Sequence, residues 1–415
     1  MSEGHDPYAV LRHRDYRRLL TANVLASFGT QMQNVAVFWE IHERTGSALA
    51  LGLVGLVQFY PVIQLSLYAG HAADRYSRKG LLIGAQALMI LASSSLAVLS
   101  FWQGPVPLIY AALLFVGVSR AFNTPARWSL LAQVVPEADM ANAITWNSSG
   151  WQVASMTGPA VGGLVISVAG PLGAYLSTIG CLLTVVVLLF SIRPRPIQRS
   201  REPLSLQSLL AGIQFVRHNR LILATITLDL FAVLLGGATA LLPIYAKDIL
   251  HVGPTGYGWL QAAPSIGAFS MALFLAHRPP LQRAGRALLW AVAGFGLATI
   301  VFGLSDNVVL SFAMLIVTGA LDNISIVVRG TLIQVLTPDG MRGRVTAVNA
   351  IFIGSSNELG AFESGLTAKL FGPVVSVVGG GIGTLVVVVA AMLIWPEILR
   401  LGTLRSTPEL VKETT

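Results

Sequence analysis

Twelve apolar segments, each of about 20 residues or more, fill most of this chain and leave it few possible folds. An α-helix rises about 1.5 Å per residue, so such a segment crosses the hydrocarbon core of a bilayer. The segments run approximately over 17–41, 48–73, 80–102, 107–127, 140–168, 171–192, 220–246, 257–277, 286–304, 308–329, 342–368 and 371–397. Lipid offers no partner to an unpaired N–H or C=O, so each must close its hydrogen bonds within itself, as a helix. The expected fold class is an all-α membrane protein with twelve transmembrane helices. Charged residues make up 11% of the chain, well under the roughly 25% of soluble domains, which excludes a soluble enzyme.

The charges between the segments set the orientation. With both termini in the cytoplasm, all of the 27 Lys and Arg except Arg44, Arg120, Lys247 and Lys369 fall on the cytoplasmic side. That is the positive-inside bias, and the opposite orientation violates it. The same bias accounts for the net charge of +8 without a nucleic acid, since the cations show no aromatic interleaving. The expected location is a bacterial inner membrane, with no cleaved signal peptide and the first span acting as the targeting signal.

A basic, proline-rich stretch, Arg193 to Pro203, interrupts the series after six spans, and an amphipathic segment follows over Leu204–Val216. The chain therefore divides into a bundle over 1–192, a linker over 193–219, a second bundle over 220–397 and a polar tail over 398–415. The two bundles repeat each other. At an offset of 202, Pro125-Ala-Arg127 through Pro136 overlays Val327-Val-Arg329 through Pro338, and Gly117 falls on Gly319. Repeated six-helix halves are a signature of secondary transporters, with substrate held near midplane between them.

The offset also lays Arg120 on Asp322. A cation in one half and an acid at the equivalent position in the other are candidates for substrate or proton binding; the alternatives are a packing ion pair or no contact. Ionisable residues at membrane depth usually face protein or a cavity. Asp229 is either a proton site or an interfacial charge. Glu358, beside Ser356 and Asn357, is the better cavity candidate than Glu363. Gln31 and Asn34 share one helix face, as cavity residues or as helix–helix hydrogen-bonding groups. Glu40 reads as a solvated charge at the end of the first span.

Other chemistry lacks its residues. Cys181 is the one cysteine, so neither a disulfide nor a cysteine metal site exists. Gly379-Gly-Gly-Ile-Gly383 lies inside an apolar span and reads as helix packing, not a nucleotide loop. No nucleophile–base set or metal motif is present, so no enzyme, metal or cofactor is expected.

Between the second and third spans stands Gly70-His-Ala-Ala-Asp74-Arg75-Tyr-Ser-Arg78-Lys79. It resembles the loop of the major facilitator superfamily, a Gly and small residues before Asp-Arg and Arg-Lys, with Ser77 departing from the usual Gly. Gly158-Pro159-Ala-Val-Gly162-Gly163 reads plainly as small-residue packing with a proline kink. It also resembles the Gly-Pro-x-x-Gly-Gly pattern of proton-driven exporters in that superfamily. Leu204–Val216, Thr337-Pro-Asp-Gly-Met-Arg342-Gly-Arg344 and Asn357-Glu358-Leu-Gly360 resemble its bacterial enterobactin and siderophore exporter branch, to which macrolide exporters are close. The chain departs from that branch where Arg120 occupies a region that carries acids.

The resemblance implies two six-helix bundles that rock about a central site, exporting a small organic molecule in exchange for protons. It implies that Asp74 engages Arg127 and the segment near Arg342 as a cytoplasmic gate. A small-molecule substrate, protons and the bilayer are the expected partners, and a monomer the expected state. A non-transporting membrane receptor or assembly factor is the alternative of another class.

Overall fold

A computed structural model describes residues 6–195, 206–279 and 282–402, and every regular element among them is helical. The helices are α1 (Arg14–Thr45), α2 (Ala48–Arg75), α3 (Arg78–Phe101), α4 (Val106–Val134), α5 (Met140–Phe190), α6 (Leu206–His218) and α7 (Arg220–Gly236). After these come α8 (Leu242–Ile244), α9 (Gly253–Ala276), α10 (Ala284–Leu304), α11 (Val308–Leu336), α12 (Asp339–Phe371), α13 (Pro373–Ile394) and α14 (Glu397–Arg400). Nine stretches of the described residues are long and apolar enough to cross a membrane. One of them, Glu137–Phe190, is 54 residues long and holds two spans. With α1 and α12, whose several charges keep them off that tally, the twelve expected spans are present.

The punctuation is local chemistry. Ser77 accepts the Gly80 N–H at 3.2 Å and so starts α3 directly after the basic loop. Asn219 and Asn307 cap α7 and α11 in the same way. Within α5 the residue with non-helical dihedrals is Gly170, at φ 66°, immediately before Pro171, rather than Pro159. A side chain would strain that left-handed position, and the turn there divides the fifth span from the sixth.

The seventh span departs from expectation. It was expected as one helix over 220–246, but α7 stops at Gly236 and the chain continues as a 3-10 turn over Ala238–Leu241 and a π-turn over Tyr245–Ile249. Two glycines in succession and Pro243, which cannot donate to the residue four before it, explain the break. Hydroxyls from two other helices brace the chain on either side of the break: Thr384 donates to Ala232 O at 3.2 Å and Ser364 to Gly237 O at 3.1 Å.

The chain forms two compact units. The first comprises Met1–Gly46, Val57–Leu204 and Val252–Ala262. The second comprises Ser47–Leu56, Ser205–His251 and Ala263–Thr415, so the first turns of α2 and of α9 each group with the other repeat. One core of the first unit gathers Tyr16, Leu19, Leu82, Leu130 and Leu189, with the Tyr16 hydroxyl donating to Ala143 O at 3.0 Å. In the second, Ile222, Leu288, Leu332 and Val345 form the corresponding cluster.

Close helix approach holds each unit together, because lipid is as apolar as the side chains and supplies no hydrophobic drive between helices. The repeat-related glycines do the same job twice. A Cβ on Gly117 would fall 3.0 Å from Pro61 Cγ of α2, and one on Gly319 would fall 2.6 Å from Pro264 Cα of α9. Gly319→Leu should therefore lower the thermal midpoint of the detergent-purified protein, since overpacking costs about 1–3 kcal/mol. Gly330→Ala, built into open space, should leave the midpoint unchanged or raise it. Equal midpoints for Gly319→Leu and the parent would refute the close approach.

Candidate functional site

The densest buried charge in the second unit lies where α7 faces α11. Asp322, Ser325 and Arg329 stand at i, i+3 and i+7, which places them along one face of α11. Across from them Asp229 projects from α7. Arg329 and Asp229 form an ion pair, with 3% and 8% of their side chains exposed. Ser325 Oγ donates to the same Asp229 oxygen at 3.2 Å. Asp229, Asp322, Ser325, Leu321 and Phe295 line a cavity of about 10 Å³, room for a single water molecule. Asp229 is buried, whereas Asp322 keeps part of its surface open.

The first unit carries a different arrangement at the equivalent height. Arg120 Nη1 donates to Gln58 Oε1 at 3.1 Å, and Gln58 is only 3% exposed. Arg127, the counterpart of Arg329, stacks its guanidinium over the Trp128 ring at 5.6 Å. Arg120 thus stands in the first unit and Asp322 in the second. Gln58 is not among the residues that the sequence singles out; its signal is an amide, one of two with Gln64, within the apolar second span. In the sequence Arg329 marks the repeat, and its spacing of seven from Asp322 puts both on one face of the helix.

The other candidates are spread over several contacts. Gln31 lies against α5, where a Cβ on Gly158 would come 2.8 Å from its own Cβ. Asn34 is half-buried one turn further along α1. The neighbouring Gln33 accepts from Ser93 at 2.5 Å, a helix–helix bond. The half-buried Glu358 carboxylate lies against Gly55 of α2 within the second unit. Gly158, Pro159, Gly162 and Gly163 are all buried in α5. Cβ atoms on Gly162 and Gly163 would fall 3.2 Å from Met32 Cα and 2.8 Å from Gly258 Cα, so these glycines let α1 and α9 approach.

In the loop motif, Lys79 Nζ donates to Phe190 O and Ile192 O, both at 2.8 Å, tying the start of α3 to the end of α5. Arg75 is exposed, Arg78 opens α3, and Gly70 stands in open space within α2. The side chain of Asp74 lies outside the described residues. Arg342 Nε donates to Gln334 O at 3.1 Å and Thr337 O at 3.2 Å, closing off the end of α11.

Glu40 corrects its expectation as a solvated end charge. It is 3% exposed, pairs with Arg44 one turn on, and accepts from the Tyr175 hydroxyl at 2.7 Å. Arg44 also donates to Gly104 O at 2.8 Å and Leu99 O at 3.1 Å. The partners come from α5 and from the turn after α3, which position along the chain does not bring into view.

A buried ion pair resists loss of one partner more than loss of both, because a lone buried charge is left without compensation. Arg329→Gln should therefore destabilise the second unit by about 3–5 kcal/mol. Arg329→Gln combined with Asp229→Asn should recover part of that loss in the unfolding midpoint. A double variant no more stable than Arg329→Gln would contradict the pairing.

Comparisons with known proteins agree with this architecture. A family model described as transmembrane secretion effector matches residues 5–401. The enterobactin exporter EntS of Shigella flexneri is 26% identical over 404 residues, covering 96% of this chain and 95% of the exporter. Its counterpart in Escherichia coli O1:K1 is 26% identical over 402 residues, with 96% and 95% covered. Among solved structures, a bacterial homolog of the human lysosomal transporter Spinster, in an inward-facing and occupied conformation, superposes with a TM-score of 0.71. It is 15% identical, and 96% of this chain and 98% of that one are covered. A POT family transporter in complex with 5-aminolevulinic acid also has a TM-score of 0.71, at 12% identity and 93% and 96% coverage. These are transporters, not enzymes.

Proposed function

We propose that this chain, which belongs to the transmembrane secretion effector family of the major facilitator superfamily, exports a siderophore from the bacterial cytoplasm. The observation that carries this reading is the similarity to enterobactin exporters along 96% of this chain and 95% of theirs. The exporter sits in the inner membrane with both termini in the cytoplasm, works as a monomer and is driven by protons entering down their gradient. The six-helix halves over 1–192 and 220–397 present the substrate site alternately to the two sides.

Arg120 supplies the attraction for an anionic, oxygen-rich substrate. A guanidinium offers several donors in a fixed fork suited to such groups, and the bond it donates to Gln58 Oε1 holds its orientation. Gln31 and Asn34 extend the polar surface along α1. The coupling proton is carried by one of the acids Asp322, Asp229 or Glu358. Asp74, with Arg127 and Arg342, forms the cytoplasmic gate, and Gly70, Arg75, Arg78 and Lys79 shape the turn that presents it. Gly158, Pro159, Gly162 and Gly163 keep the helices close enough for this exchange to proceed without a leak.

The test is flux in proteoliposomes under an imposed pH gradient, with a catecholate siderophore set against a panel of macrolides and other drugs. Siderophore accumulation that collapses with the gradient supports the reading. Transport of drugs alone would make the protein a multidrug exporter. Arg120→Gln should weaken siderophore binding by about 10- to 150-fold, the range for losing a charged hydrogen bond worth about 1.5–3 kcal/mol. Asp74→Ala should slow cycling while leaving the binding constant unchanged, and unaltered flux in that variant would remove Asp74 from the gate.

A further inference from the structure

The cluster between α7 and α11 holds two carboxylates and one guanidinium. Asp229 already has its charge balanced: Arg329 pairs with it, and Ser325 donates to the same oxygen. Asp322 shares their cavity and feels both the Asp229 and the Arg329 charge. The remaining walls bring it no further cation. From α10 come Ala291, Val292 and Phe295, all apolar. The whole of α9, which packs on α11 at Gly319, contains no Asp, Glu, His, Lys or Arg. α12 also touches α11 but contributes no residue to this cavity. Fully ionised, the cluster would hold one uncompensated negative charge beside a cavity with room for a single water molecule. A buried charge without a partner is costly enough that the group neutralises instead.

We infer that this cluster binds one proton, that the proton resides on Asp322, and that Asp229 stays ionised against Arg329. Asp322 is suited to exchange that proton, because it keeps an open surface where Asp229 has almost none. Its hydroxyl proton leaves to water and the carboxylate left behind competes for Arg329. Loading and unloading the site therefore changes the pull between α7 and α11. The break in the seventh span after Gly236 lies about two helical turns beyond Asp229, so α7 can answer that pull as a short rigid piece.

The role in coupling rests on the exporter reading, whereas the existence of the proton site does not, and the two are tested separately. Infrared difference spectra of the purified protein titrated with acid should contain the carbonyl stretch of a protonated carboxylic acid. That band should be lost in Asp322→Asn and retained in Asp322→Glu. Asp322→Asn keeps the Asp229–Arg329 pair, so its unfolding midpoint should stay at the parent's value. A band of full size in Asp322→Asn would place the proton elsewhere and overturn the inference. In proteoliposomes, Asp322→Asn should lose accumulation driven by the pH gradient and keep exchange of substrate between the two sides. Gradient-driven accumulation at the parent's rate would overturn the coupling role. Absence of siderophore flux in the parent, with the band intact, would count against the siderophore and leave the proton site standing.

Discussion

Inside a bilayer no water is available to accept an unpaired backbone amide or to solvate a lone charge, and that restriction governs every level of this protein. It makes the spans helical, and it dictates how they are allowed to be irregular. Where the seventh span breaks after Gly236, hydroxyls of Ser364 and Thr384 reach across to backbone carbonyls on either side of the break. Where a carboxylate is buried at Glu40, an arginine one turn away and a tyrosine hydroxyl from another helix answer it. The cost of leaving a polar group alone in hydrocarbon is large enough that each irregularity arrives with its compensation.

The same restriction separates packing from chemistry. Gly117 and Gly319 hold equivalent places in the two repeats and serve equivalent contacts, so the halves have kept their construction in common. Four helical turns or less away, the charges have diverged. One repeat sets Arg127 over an aromatic ring and links Arg120 to Gln58, while the other buries an arginine against Asp229. The scaffold is symmetric and its buried charge is not.

The polar residues that the sequence marks out divide accordingly. Lys79 and Arg342 spend their donors on backbone carbonyls at helix ends, and Gly162 and Gly163 give neighbouring helices room. Those are structural duties. Asp322 is different in kind, because its immediate surroundings leave it one charge out of balance.

The sequence by itself determined the number of spans and the approximate limits of most of them, the repeat and the resemblance of the basic loop, because apolar length, cation placement and turn residues are local and one-dimensional. It also put Arg120, Asp229, Asp322 and Glu358 forward, since an ionisable residue among apolar neighbours is conspicuous in one dimension. Only the tertiary structure decided their partners. That Arg329 is taken by Asp229, that Gln58 stands behind Arg120, that Tyr175 covers Glu40 and that the seventh span is broken all depend on which helix faces meet. Pairing is a property of distance across helices, and separations of 62 to 135 residues along the chain carry no trace of it.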